Sequence, residues 1–233
     1  MIGWELFAPP GEAQFGWLDE IREFRARVLY DNGRRPAFRQ RDGRYADSDR
    51  RDRAAHHLSA RVAGVMAGCA RLLPVPDGDV CFTEQLVGPA RFAEILSELG
   101  VDRSQTIEGG RWVVDPNHRA ARLGVLLAAG GVAVARALGY RMLCCPVGTR
   151  RKQDRVLARL GWAPVPDMPL IAVPQLDDEL RVMHTFPARA ALHVRVLMET
   201  MAVELKLPGT QRLEDDQASP PPRFVSAAIG ICS

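Results

Sequence analysis

The sequence lacks long apolar runs, and its cysteines have no spacing typical of a metal site. The longest apolar stretch, residues 125–135, is far shorter than the roughly 20 residues that a membrane-spanning helix needs. The first residues carry neither the basic segment nor the apolar core of a secretory signal. We therefore expect no membrane span and no bound metal, and we expect a cytoplasmic protein. Cys144 and Cys145, adjacent in an apolar run, are predicted to be buried reduced thiols.

Length and composition are those of an ordinary globular chain. The 233 residues are 47% hydrophobic and 25% charged, which is enough for one domain with a full core. We expect a single domain over residues 1–207. From residue 208 the chain becomes rich in Pro, Gly, Ser, Asp and Gln, a composition that buries too little apolar surface to order itself. Residues 208–233 are therefore predicted to form a disordered tail.

Lysine is scarce, and arginine supplies nearly all the positive charge. Of the 31 basic residues, only Lys152 and Lys206 are lysines. Arginine binds carboxylates and phosphates through its planar fork. The formal net charge is only +3, and the arginine-rich segment 34–53 has aspartates throughout. A nucleic-acid partner is therefore not expected.

Hydrophobic periodicity and turn residues give an order of elements. Helices are predicted at residues 17–29, 89–99, 122–138 and 149–160, and strands at residues 55–62, 62–73, 106–114, 140–147 and 170–173. Residues 181–207 are ambiguous, with a helix or strand around 190–205. This order predicts an α+β fold of three layers, in which helices flank one central mixed sheet.

Charged residues from separate elements form the first candidate site. Asp49 and Asp52 are three residues apart and would face the same way on a helical turn. Arg25, Arg71 and Arg111 come from a helix and two strands. Together they could form a cluster that presents carboxylates to a cationic amine. The sequence is equally compatible with a set of solvated surface pairs, which would contribute little to stability.

The second candidate site is a strand–turn–helix over residues 108–124. The first turn of a helix has unpaired N–H groups and the positive end of the dipole, which suit a phosphate. Arg119 and Arg122 would add charge-assisted contacts, and Gly124 would allow close approach to the backbone. A plain strand–turn–helix with surface arginines is the alternative.

Four short motifs carry a resemblance to a known family. In chain order they are FRARVL at 24–29, DSDRRD at 47–52, CARLLP at 69–74 and EGGR at 108–111. In addition, RAARLG at 119–124 is similar to the acyl-CoA-binding loop of the GNAT acyltransferases. The motifs resemble those of the acyl-homoserine-lactone (autoinducer) synthases, which are GNAT-fold relatives of the N-acyl amino acid synthases and act in quorum sensing.

The resemblance implies a GNAT-like fold and an N-acyltransferase. The acyl group would come from acyl-ACP or acyl-CoA and go to S-adenosylmethionine, giving an acyl-homoserine lactone, or to an amino acid, giving an N-acyl amino acid. No tightly bound cofactor is implied. The partners would be these small molecules and, as a candidate, acyl carrier protein. Arg150, Arg151 and Lys152 would meet the phosphopantetheine or the carrier, or would simply be a solvated helix start.

Roles follow from the resemblance by position and from what acyl transfer to an amine requires. Glu108 is expected to be the general base, acting through a water, and a backbone N–H near Trp112 or Val113 is expected to be the oxyanion donor. The implied site residues are Glu108, Arg111 and Arg71 for catalysis, Arg25, Asp49 and Asp52 for the substrate, and Trp112, Val113, Val114, Arg119, Arg122 and Gly124 for the acyl donor.

Three departures from the family pattern leave alternatives open. Arg122 stands where the GNAT loop usually has its first Gly, and Leu29 stands where the synthases have an aromatic residue. The Gly-Trp that follows in the synthases is replaced by YDNGRR at 30–35. The alternatives are an acetyl-CoA-dependent GNAT N-acetyltransferase and a catalytically degenerate GNAT-fold binding module.

Overall fold

The computed structural model describes residues 2–11, 15–75 and 80–207, with the backbone alone for residues 119–121. The strands are β1 (Ile2–Phe7), β2 (His56–Val62), β3 (Val65–Pro74), β4 (Thr106–Val114), β5 (Met142–Gly148), β6 (Ala163–Pro164), β7 (Ile171–Val173) and β8 (Asp178–Thr185). The helices are α1 (Gly16–Asp31), α2 (Phe82–Val87), α3 (Pro89–Glu98), α4 (Leu123–Ala137), α5 (Gln153–Arg159) and α6 (Leu192–Glu204).

All eight strands belong to one mixed sheet, in the order β1-β2-β3-β4-β5-β8-β6, with β7 also paired to β8. The β4–β5 pair is parallel and the other pairs are antiparallel. Only Thr106–Glu108 of β4 pairs with β5, although β4 continues to Val114. The two central strands therefore diverge after Glu108, and this opening places the candidate site.

Helices cover both faces of the sheet, as the predicted three-layer fold requires. On one face, α4 packs between the sheet and α6. A side chain at Gly130 of α4 would lie 3.0 Å from Leu58 and 3.2 Å from Met201, so the glycine allows this close packing. On the other face, Phe24 of α1 and Phe92 of α3 enter separate apolar clusters. The four described cysteines are free and buried, as predicted for Cys144 and Cys145.

Most predicted elements are confirmed, and β4 has the predicted bounds. The α5 prediction is wrong at its start: the helix begins at Gln153, and residues 149–152 form a turn. This turn is fixed by β8, because Asp178 accepts a hydrogen bond from the Arg150 N–H at 3.1 Å. The structure adds β1, α2, β6 and β8, which were not predicted as such, and resolves the ambiguous region 190–205 as α6.

The predicted tail, 208–233, lies outside the described residues. Within the described part of the chain, no helix combines the length and apolarity needed to cross a membrane.

Candidate active site

A buried network of aspartates and arginines holds the segment before β2; we call Asp47, Asp49, Asp52, Arg25, Arg71 and Arg111 the Asp–Arg cluster. Asp52 is its centre and is fully buried. Its carboxylate lies 2.6 Å from Arg25 Nη2, 3.0 Å from Arg71 Nη1 and 3.0 Å from Arg22 Nε. Burial alone would raise the pKa of Asp52, but the arginines outweigh burial and hold it well below its usual range.

The other two aspartates connect the cluster to β4. Asp49 lies 2.8 Å from Arg71 Nη1 and 3.0 Å from Arg111 Nη2. Asp47 was not among the predicted site residues. Its side chain is 2% exposed and forms ion pairs with Arg25 at 3.0 Å and with Arg111 at 3.4 Å. Asp47 is the first residue of the DSDRRD motif, so the motif included it. The spacing argument considered Asp49 and Asp52 alone and therefore did not identify Asp47.

The side chains at the centre of the cluster are buried, so the alternative of solvated surface pairs is wrong. Asp49 and Asp52 share one turn as expected, but that turn is a 3₁₀ helix at Arg50–Ala54. Asp49 caps it by accepting a hydrogen bond from the Arg51 N–H at 3.1 Å. The cluster therefore ties this loop to α1, β3 and β4 at once.

A β-bulge aims Arg111 at the aspartates. Between β3 and β4, Cys69 pairs with Val113 and Arg71 pairs with Gly110, so β4 carries an extra residue. Arg111 has a φ of 50°, a left-handed conformation that costs on the order of 1 kcal/mol or more for a residue with a side chain. A bulge re-aims the side chain it carries, and here the ion pairs with Asp47 and Asp49 hold Arg111 in place.

Glu108 lies at the fork between β4 and β5 and is 1% exposed. Its Oε1 accepts a hydrogen bond from the Phe82 N–H at 3.0 Å. Its Oε2 accepts hydrogen bonds from the Thr83 N–H at 2.6 Å and the Thr83 hydroxyl at 2.7 Å. A carboxylate has about four acceptor positions, and these three hydrogen bonds use three of them. Sequence reasoning did not find Phe82 and Thr83, because α2 is too short to show a helical period.

Three adjoining cavities surround the diverging strands. The charged cleft, about 370 Å³, is lined by residues that include Asp49, Arg71, Glu108 and Arg111. The helix cleft, about 340 Å³, lies between β4 and the start of α4. The apolar pocket, about 120 Å³, lies beside β5. Trp112 lines all three cavities, so they meet at the middle of β4. Arg25 and Asp52 are buried beneath the charged cleft and do not line it.

The predicted donor residues lie around the helix cleft. Trp112, Val113, Val114, Arg122 and Gly124 line it, and the side chain of Arg119 lies outside the described residues. A side chain at Gly124 would be 3.3 Å from the Trp112 ring, so Gly124 allows the indole to pack against α4. The predicted helix start is corrected by one residue: Arg122 has a left-handed φ of 56° and precedes α4.

This geometry matches known proteins. Residues 24–129 match the family model of the acetyltransferase (GNAT) domain. The solved structure of BjaI, a CoA-dependent acyl-homoserine lactone synthase, with SAM and isopentyl-CoA aligns at a TM-score of 0.61. It shares 15% identity, and the alignment covers 90% of this chain and 92% of BjaI. This chain has the GNAT fold.

Two further solved structures support the resemblance predicted from the motifs. TofI, crystallised in a ternary complex with an inhibitor and MTA, aligns at a TM-score of 0.62 with 18% identity, over 84% of this chain and 96% of TofI. FeeM, an N-acyl amino acid synthase from uncultured soil microbes, aligns at 0.57 with 11% identity, over 84% of this chain and 98% of FeeM. No curated protein gives a significant match. The GNAT family match and the fold together support an acyltransferase.

A buried histidine next to the Asp–Arg cluster predicts that the fold is sensitive to acid. His57 Nε2 lies 2.9 Å from the Asp52 carbonyl oxygen. Burial first, and then the charges of Arg25 and Arg71, lower the pKa of His57 to about 4 from 6.5. As the pH falls, His57 is therefore protonated in the unfolded chain before it is protonated in the folded chain, which favours unfolding. The stability linked to neutral His57 is complete above the pKa of the unfolded chain and is lost as the pH falls from about 6.5 toward 4.

We expect the free energy of unfolding in urea to fall by about 2 kcal/mol between pH 7.5 and pH 5 from His57 alone. His57→Gln should flatten this part of the profile. Burial also lowers the pKa values of His56 and His184, so the stability of His57→Gln should still fall with pH, but less steeply. His193→Gln, the same substitution at an exposed position, is the control against which the change of slope in His57→Gln is compared. An unchanged slope in His57→Gln would show that His57 does not titrate with unfolding.

Proposed function

We propose that this protein is an N-acyltransferase that moves an acyl group from acyl-CoA or acyl-ACP to the amine of S-adenosylmethionine or of an amino acid. The products would be an acyl-homoserine lactone, after lactonisation, or an N-acyl amino acid. The observation that carries the proposal is the fork between β4 and β5. There, Glu108 lines a charged cleft suited to a polar acceptor, and the next two residues, Gly109 and Gly110, line both that cleft and an apolar pocket suited to an acyl chain.

The proposed reaction begins at the amine. Its nitrogen attacks the thioester carbonyl carbon, a C–N bond forms, and the amine proton passes through a water to Oε1 of Glu108. A backbone N–H near Trp112 or Val113 stabilises the oxyanion. The C–S bond then breaks, and the leaving thiolate takes up the proton held by Glu108, through water, which restores the carboxylate. Glu108 suits this role because it lines the cleft and is held in one orientation by α2.

The Asp–Arg cluster prepares the acceptor side. Asp49, Arg71 and Arg111 line the charged cleft, where an acceptor would contact them. Arg25 and Asp52 have no exposed surface, so we propose that they act by positioning these three residues. Because the ion pairs within the cluster form before an acceptor binds, binding requires little free energy to order these side chains.

The donor would occupy the other two cavities. The helix cleft, with Arg122 and Arg151 on its wall, suits phosphopantetheine and its phosphate. We propose Arg150, Arg151 and Lys152 as the contact for an acyl carrier protein. The apolar pocket, lined by residues such as Leu127, Leu143 and Trp162, favours an acyl chain longer than acetyl. The free buried cysteines fit a reducing, cytoplasmic setting.

The test is acyl transfer by the full chain. Acetyl-, butyryl- and octanoyl-CoA and octanoyl-ACP would each be mixed with S-adenosylmethionine or with the amino acids. Thiol release would be measured, and products identified by mass spectrometry. We expect acceptor-dependent thiol release that is faster with butyryl or octanoyl than with acetyl donors. Thiol release with no donor–acceptor pair would contradict the proposal, and binding of a thioester without turnover would favour the binding module.

Ala128→Phe tests the apolar pocket separately. Ala128 lines the pocket from α4, so a phenyl ring there should reduce octanoyl transfer at least tenfold while acetyl transfer persists. Preference for acetyl-CoA in the unmodified protein would support the acetyltransferase alternative.

A further inference from the structure

An arginine on the wall of the charged cleft has no carboxylate partner in the described part of the chain. Arg35 is half-buried and lines the cleft. Its Nη1 donates to the backbone oxygens of Arg34 at 2.6 Å and Gln175 at 3.4 Å. Those bonds fix the position of the guanidinium without neutralising it. The remaining N–H groups of the fork stay available to a ligand.

The cleft's own carboxylates are already engaged by other groups. Asp49 pairs with Arg71 and Arg111, and Glu108 accepts its hydrogen bonds from the first turn of α2. Asp178 pairs with Arg34 at 3.4 Å and accepts from the backbone N–H groups of Arg150 and Glu179. An anion for Arg35 must therefore come from outside these side chains.

The surroundings make the charge on Arg35 costly in the empty cleft. Burial, together with the positive charges of Arg111 and Arg34, lowers the pKa of Arg35, while Asp47 and Asp178 oppose this only in part. A half-buried cation beside like charges gains more from a bound anion than a solvated surface arginine would. This agrees with the geometry, in which a fixed fork faces a cavity.

We propose that Arg35 binds the carboxylate of the acceptor and selects acceptors that carry one next to their amine. The inference rests on the proposed function and adds to it a residue that determines specificity. A carboxylate matches the guanidinium fork with two parallel hydrogen bonds. The acceptor would lie across the cleft, with its carboxylate at Arg35 and its amine toward Glu108. Arg35 belongs to the segment YDNGRR, where the chain departs from the synthase pattern.

The experiment uses the full chain and its Arg35→Met, Arg35→Lys and Arg41→Met variants. Arg41 is exposed in the same segment and lines none of the three cavities, so it is the matched control. KM and kcat would be measured for S-adenosylmethionine, for amino acids and for the α-carboxamide of each. Arg35→Met should raise KM for carboxylate acceptors roughly 10- to 100-fold, with kcat and the KM for carboxamides nearly unchanged. Arg35→Lys should recover part of the loss.

Three results would overturn this proposal. One is an equal rise in KM for carboxylates and carboxamides; another is no rise at all. The third is a rise confined to the KM of the acyl donor, which would assign the anion to a donor phosphate. Calorimetric titration of the same acceptors and carboxamides needs no turnover. Carboxylate-selective binding that Arg35→Met weakens supports the proposal even where thiol release fails, and binding indifferent to the carboxylate, or none, overturns it.

Discussion

Glu108→Gln is expected to lower kcat for acyl transfer by roughly 10²–10⁴-fold. The amide cannot take the amine proton. Its NH₂ group would also face the N–H groups of Phe82 or Thr83, which now donate to the carboxylate at 3.0 and 2.6 Å. The measurement is the rate of thiol release at saturating donor and acceptor. The KM for the donor should change little, because Glu108 does not line the helix cleft.

Thr83→Ala distinguishes two possible roles of Glu108, namely proton transfer and structural support of α2. This variant removes the hydroxyl that donates to Glu108 at 2.7 Å but keeps the carboxylate, so kcat should stay within a few-fold of the unmodified protein. Thermal unfolding of both variants would show whether α2 remains in place. If Glu108→Gln retained kcat within tenfold while it lowered the melting temperature, Glu108 would be a positioning residue and another base would be required.

The largest effect on stability is expected for Asp52→Ala. The change leaves Arg25, which has no exposed surface, with Asp47 as its remaining partner, and it also removes a partner from Arg71 and Arg22. Breaking a buried ion pair from one side typically costs about 3–5 kcal/mol. We expect a fall of that size in the free energy of unfolding, measured in urea at pH 7.5, or a chain that no longer folds.

Asp42→Ala is the matched control for this loss. Asp42 belongs to the same arginine-rich segment and pairs with Arg44 at 2.6 Å, but both side chains are exposed. Exposed pairs contribute little to stability, so the free energy of unfolding should not change measurably. Similar losses in the two variants would mean that burial does not distinguish the Asp–Arg cluster from its surroundings. Asp52→Asn, which keeps hydrogen-bond acceptors, should lie between the two.

Local patterns predicted the elements that have a clear apolar period or turn residues at their ends. β4 has the predicted bounds, and α1 and α3 present apolar faces at helical spacing. β8 was ambiguous because it contains Asp178 and His184, both buried, among its apolar residues. Asp178 tolerates burial only through Arg34 and two backbone N–H groups, which are partners that no local pattern reveals.

For the candidate site, the residue types could be predicted but the pairings could not. Arg25, Arg71, Arg111, Asp49 and Asp52 were all identified, and the structure brings them together in one cluster. The contacts of Arg111 depend on a bulge with a left-handed φ at a residue that has a side chain, a conformation that its sequence does not favour. The roles assigned to these residues stay predictions until the variants are measured.

The residues that line the charged cleft form two groups that differ in how freely they can be substituted. Asp49, Arg71 and Arg111 also hold part of the fold, so a substitution that changes substrate preference there would lower stability. Leu29, Arg35 and Phe38 line the same cleft but do not belong to the Asp–Arg cluster. Natural variants that acquire a new acceptor are therefore expected to accumulate substitutions between residues 29 and 38 while the aspartates stay fixed.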